Sequence, residues 1–160
     1  MDSEWRKIDI DALDPDRLGE GPLVEPFGLS AEEANAAAQE RQRNVRGHLS
    51  RGDTDAALTE ALEGQPWGED METAKQTSLG ALLLVLAQTP TQQIAQTLAA
   101  LTSEQQDTLM KYLYAAMDHL SANTNTNSST LGTVLGWHEK LTESAGIGCI
   151  VRVMSDRRRV

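Results

Sequence analysis

A chain of 160 residues with 39% hydrophobic side chains is the size of one domain and has apolar content for one core. Its formal net charge of −10 excludes general phosphate or nucleic-acid binding, which needs clustered Lys and Arg, and its longest apolar run, Leu79 to Ala87, falls far short of the roughly 20 residues that span a bilayer. A single cysteine, Cys149, excludes an internal disulfide and, with no amino-terminal apolar run of signal-peptide length, points to a cytosolic protein.

Aromatic residues are scarce, so the core must come from Leu, Ile, Val, Met and Ala, a set that favours helices over strands. Residues 1–29 carry three Pro and three Gly without a sustained helical period, and they are expected to form an extended arm or tether. Within this arm, "WRKIDIDAL" alternates apolar and acidic residues, which places Ile8 and Ile10 on one face of an extended segment. The segment is either an incidental part of a solvating tail or a short linear motif that lies on a partner.

Ser30, with Glu33 three residues on, predicts a capping box that opens an Ala-rich helix running to about His48. Polar residues occur on nearly every face of this helix, so it is expected either in solvent or held by a partner. Residues 30–49 are thus a helix and linker between the arm and a helical core at 50–160. The core opens with "GDTDAALTEALEGQP", a short helix turning Ala57, Leu58, Ala61 and Leu62 inward before Gly64 and Pro66.

From about Glu69 to Gln88, Leu79, Leu82, Leu83 and Leu86 recur at helical spacing, and Pro90 ends the run. Ile94, Leu98 and Leu101 predict a further short helix. Thr102 or Ser103 then caps a segment in which Leu109, Leu113 and Met117 share a stripe with Met110 and Tyr114 alongside. The tract "SANTNTNSST" at 121–130 predicts a surface loop. Beyond it, Leu131, Val134, Leu135, His138 and Leu141 predict a helix with one apolar side. Ile147, Ile150, Val151 and Met154 predict a last helix, although "GCIVRV" is β-branched enough for a strand. The sum is an all-α single domain of about six to seven mostly antiparallel helices with an extended amino-terminal arm.

The carboxyl-terminal "WHEKL" invites comparison with the zinc-binding H-E-x-x-H helix, but position 142 is Thr142 and the second ligand is missing. His48 and His119 make no ligand pattern with Cys149, so no metal is expected. His138 is read as a buried or interface histidine held by a hydrogen bond. Cys149 lies among Ile147, Ile150 and Val151, where desolvation raises a thiol pKa and favours an inert core cysteine. "AGIGCIV" lacks both the Gly-Lys-Ser/Thr of a phosphate loop and the third glycine of a dinucleotide fingerprint, so no cofactor is expected. Arg157, Arg158 and Arg159 either meet an acidic surface or solubilise the terminus, and Arg41, Arg43 and Arg46 are equally open. With no reactive constellation, a binding protein rather than an enzyme is the leading class.

"LMKYLYAAM" and "LGWHEKLTESAGIGCIVRVMSDRRRV" resemble the helical core and carboxyl end of the actin-related protein 2/3 complex subunit 5 family, and "WRKIDIDAL" resembles its opening segment. The resemblance covers that segment and nearly all of residues 50–160, and it departs at 19–49 and 121–130. It implies a non-catalytic subunit whose helical domain docks on subunit 4 near the β-propeller subunit 1, while the arm reaches actin-related protein 2. The assembled complex would bind an actin filament and nucleate a branch, placing the chain in the cytoplasm, at cortical actin patches or branched networks. ATP and magnesium would belong to the actin-related subunits.

On this basis Trp5, Arg6, Lys7, Ile8, Ile10 and Leu13 are the expected partner-binding residues of the arm. Trp137, His138, Ile150, Arg152, Arg157 and Arg158 are those of the core, where packing and docking roles are mixed. A free-standing helical adaptor that binds peptides or partner helices is the alternative, and a small hydrolase using His138 and Cys149 is a more distant one.

Overall fold

The computed structural model describes residues 24, 26–122 and 128–160. Among these, the chain forms seven α-helices, one 3-10 turn and no strand: α1 (Ala31–Ser50), α2 (Thr54–Leu62), the turn at Glu69–Met71, α3 (Glu72–Gln88), α4 (Ile94–Ala100), α5 (Ser103–Ala122), α6 (Ser128–Ala145) and α7 (Ile147–Ser155). The all-α expectation holds. Trp5, Arg6, Lys7, Ile8, Ile10 and Leu13 lie outside the described residues, as does the tract 123–127.

α1 begins where Ser30 and Glu33 predict. The Ser30 hydroxyl accepts from the Glu33 amide, and the Glu33 carboxylate accepts from the Ser30 amide at 2.9 Å, satisfying donors at the helix start reciprocally. Those contacts, backbone first, also hold the Glu33 carboxyl below its ordinary pKa. α1 buries only Ala34, Ala38 and Val45 and packs mainly on α3 and α2. Small side chains let the helices approach closely, so a helix polar on most faces still finds a seat. A satellite cluster of Ala34, Ala38, Met71 and Ala74, flanked by Phe27 and Ala31, fills that contact.

The main core runs from Val45 of α1 through α7. Ala57, Leu58, Ala61 and Leu62 point inward from α2 as their spacing predicts, and Leu79, Leu82 and Leu86 do so from α3. Leu109, Met110, Tyr112 and Leu113 enter from α5, and Val134, Trp137 and Leu141 from α6. Each large apolar side chain buried in this way contributes about 1.5–3 kcal/mol. α5 runs between α6 and α7, and α4 rests on α6.

Two features differ from expectation. The helices take up both ends of the Asn/Ser/Thr tract expected as a loop at 121–130: α5 continues to Ala122 and α6 already starts at Ser128. Ser and Thr are tolerated in a first helical turn, where free backbone donors suit them. On α6, Leu131 and Leu135 face outward, and the buried stripe is Val134, Trp137 and Leu141. The large indole won the interior position because it removes more surface from water than either leucine.

Candidate docking surface

The carboxyl-terminal segment is built from one glycine and a set of fasteners. Gly146 separates α6 from α7 at φ 74°, a left-handed backbone that suits a glycine, and its carbonyl accepts from the Cys149 amide. α7 then lays Cys149 fully inside the core, with Ile150 and Val153 partly buried beside it. Burial pushes the Cys149 thiol up to about 12, and the neighbouring Asp107 carboxylate adds to the rise. The thiol is therefore protonated and inert, and it sits 3.7 Å from the Gln106 carbonyl.

Charged groups tie the outer turns of α7 to α5. Arg152 donates through Nε and an Nη to both oxygens of Asp107 at 2.6 and 2.8 Å, a fork-to-fork pair. The same contact, led by the Arg152 hydrogen bonds, holds the Asp107 carboxyl below its usual range. Lys111 donates to Asp156 at 2.6 Å just beyond the helix end. Burial opposes ionisation of Asp156, but bonds from Lys111 and from the Arg158 amide outweigh it and set its pKa at about 2. A cleft of about 450 Å³ lies along this seam, lined by Glu104, Asp107, Lys111, Arg152, Asp156 and Arg158 among others. Three acids and three bases there largely neutralise one another.

The tail returns to the body. Arg158 lies over the Trp67 ring at 5.5 Å, and Phe27 meets the same ring edge-on at 4.7 Å. Val160 packs on the main core. Arg157 and Arg159 are exposed. Arg158 thus joins the root of the amino-terminal segment to the end of the chain through one indole.

With these contacts made, one face of α7 is left exposed among the described residues. Ile147, Val151 and Met154, at i, i+4 and i+7, are 74%, 61% and 65% exposed. On α6, which packs against α7, Leu131 and Leu135 are exposed as well. Apolar side chains repeated at helical spacing on the exposed side of α7 make that side the candidate docking surface, since burying each of them would be favourable.

The expected core-side residues divide accordingly. Trp137 belongs to packing alone: it is fully buried, and its Nε1 donates to the Leu86 carbonyl at 3.4 Å. His138 is half-buried, 3.3 Å from the Tyr114 hydroxyl with the two rings edge to face, as a histidine held by a hydrogen bond should be. Ile150 is partly covered by the core, and Arg152 and Arg158 are engaged within the chain while keeping exposed surface. Sequence reasoning missed Asp107, Lys111 and Asp156 as fasteners. Their pairings cross 45 residues of chain, and no local pattern announces them.

Comparison with known proteins supplies the wider context. The family profile described as ARP2/3 complex 16 kDa subunit (p16-Arc) matches residues 4–160. The chain is 32% identical over 162 residues to "Actin-related protein 2/3 complex subunit 5" of Saccharomyces cerevisiae, covering 100% of both chains. It is 31% identical over 163 residues to the human "Actin-related protein 2/3 complex subunit 5-like protein", covering 100% of this chain and 97% of that one. Against the Xenopus laevis "Actin-related protein 2/3 complex subunit 5-B" it is 33% identical over 165 residues, with the same coverage.

Proposed function

This chain belongs to the ARP2/3 complex 16 kDa subunit (p16-Arc) family, and we propose that it is the non-catalytic subunit 5 of an actin-related protein 2/3 complex, holding neighbouring subunits together during branched actin filament nucleation. In this reading the helical domain docks on subunit 4, close to the β-propeller subunit 1. The arm carries Trp5, Arg6, Lys7, Ile8, Ile10 and Leu13 to actin-related protein 2. The protein works in the cytoplasm, at cortical or branched actin networks, and reaches the filament through the complex.

The observation that carries the reading is the Ile147, Val151 and Met154 stripe on a helix whose other sides are firmly fastened. A rigid, preorganised apolar face costs little ordering on association, so a modest area suffices for stable docking. An arm of 29 residues reaches several tens of Å when partly extended, and its tether raises the local concentration of the anchor to roughly millimolar.

Reconstitution with the remaining subunits tests this. The double variant Val151→Asp, Met154→Asp should keep its helical circular dichroism, because both positions are exposed, yet lose at least about tenfold in incorporation through two desolvated charges. Incorporation equal to wild type would defeat α7 as the docking face. A wild-type chain that stays monomeric beside the other subunits would instead favour the free-standing adaptor.

A further inference from the structure

The last turn of α7 reads Arg152, Val153, Met154, Ser155, followed by Asp156 and three arginines. Ser155 closes the helix, is exposed, and among the described residues donates its hydroxyl to the Arg152 carbonyl at 3.0 Å. Residues 156–160 leave the helix in a non-helical conformation, so Ser155 stands at a junction where the backbone can be drawn into an extended strand. Arg152 is three residues before it, and Arg157, Arg158 and Arg159 lie two to four residues after it. Protein kinases with acidic substrate grooves select serines by such flanking arginines, each matched to a carboxylate of the groove. For this the Arg152–Asp107 and Lys111–Asp156 pairs and the Arg158 contact with Trp67 must open, a local unfolding of the chain end that slows labelling of the folded chain relative to a free peptide.

Ser155 also has a place on the docking face. It follows Val151 by four residues, so it sits at the rim of the Ile147, Val151 and Met154 stripe. We propose that Ser155 is a phosphorylation site for an arginine-directed protein kinase, and that its phosphate weakens docking of the α7 face. The second half rests on the docking reading above. In the transfer, the Ser155 Oγ forms a bond to the γ-phosphorus of the kinase's ATP as the bond to the β,γ-bridging oxygen breaks. ADP departs with that electron pair, and the hydroxyl proton passes to the kinase's catalytic base.

The consequences follow from charge. A phosphoserine carries about −1.5 to −2 near neutral pH, here at the carboxyl end of a helix, where negative charge is disfavoured, and next to Asp156. It competes with Asp107 for Arg152 and with Asp156 for Arg158, both of which are one or two turns of chain away. The rim of an apolar face thereby gains a strongly hydrated dianion.

The test labels the full chain with a kinase of known arginine-at-minus-three preference and radioactive ATP, beside Ser155→Ala and a synthetic peptide of residues 149–160. Phosphate on Ser155 of the folded chain at a rate within about tenfold of the peptide is expected, and none on Ser155→Ala. Labelling of the peptide but not of the folded chain would overturn the site. The phosphorylated chain is then compared with the unphosphorylated one for incorporation among the other subunits, with circular dichroism as a check of folding. At least about tenfold weaker incorporation is expected. Equal incorporation would overturn the gating. Failure of the unphosphorylated chain to incorporate would strike the docking reading and the gating that rests on it, and leave the site to be decided by the labelling.

Discussion

At the scale of single residues, chemistry in this chain is set by what surrounds each side chain more than by its type. Trp137 and His138 are neighbours in sequence, yet one is sealed in the core and the other shares an edge with Tyr114. The apolar stripe of α6 signalled that some of these residues turn inward. It did not say which, because leucine and tryptophan both fit the pattern and only the space between α3, α5 and α6 decides. Trp137→Ala should lower the unfolding free energy by about 3–5 kcal/mol in urea titration, and a loss under 1 would place the indole in a far looser environment.

Asp156 gives a pH dependence with a definite sign. Its folded pKa of about 2 lies below the ordinary value of about 3.9, so the Lys111 and Arg158 contacts stabilise the fold above pH 4, and that contribution fades as pH falls from 4 to 2. With allowance for solvent around the pair, the contribution is about 1 kcal/mol. Asp156→Asn should therefore be less stable than wild type at pH 7 by about that amount, and the two unfolding curves should converge near pH 2. A gap that persists at pH 2 would mean packing, not charge, dominates at this site.

At the scale of elements, helix ends were the most legible part of the sequence and helix faces the least. Ser30 with Glu33 forms the reciprocal cap that its spacing announces, and of the two caps expected for α5 it is Thr102 that serves, paired with Gln105, since a cap needs only neighbours in the chain. The end of α2 depends on a distant residue as well. Arg41 of α1 donates to the carbonyls of Glu63 and Gly64, at the negative end of that helix, where a cation is favoured. Gly64 has φ 53°, and a Cβ added there would fall 2.7 Å from Arg41 Nη1. Gly64→Ala should thus cost about 1–3 kcal/mol, through both the left-handed backbone and displacement of the guanidinium. Thermal melting would check it, and a neutral result would remove both the backbone strain and the Arg41 displacement as costs at this position. The Arg41, Arg43 and Arg46 row, ambiguous as sequence, resolves into one structural arginine and two exposed ones.

At the scale of the whole molecule, the described helices make a scaffold with one unfinished face, and the arm extends its reach to a second partner in the proposed assembly. The double variant Trp5→Ala, Ile8→Ala should weaken cross-linking to actin-related protein 2 while leaving incorporation of the helical domain unchanged. Cross-linking as efficient as wild type would remove the arm from that role. The sequence by itself determined that the chain is helical, where most helices start and stop, that Cys149 is inert, and which family it belongs to. Periodicity, caps and family motifs are local or collinear properties, and a linear string carries them in full. Only the tertiary structure decided that α1 is seated on α3, that Arg152 and Lys111 are fasteners, and that Ile147, Val151 and Met154 stay in water. An apolar stripe reads the same whether its own chain or another protein covers it, because the free energy of burial depends on area removed from water and not on whose atoms remove it.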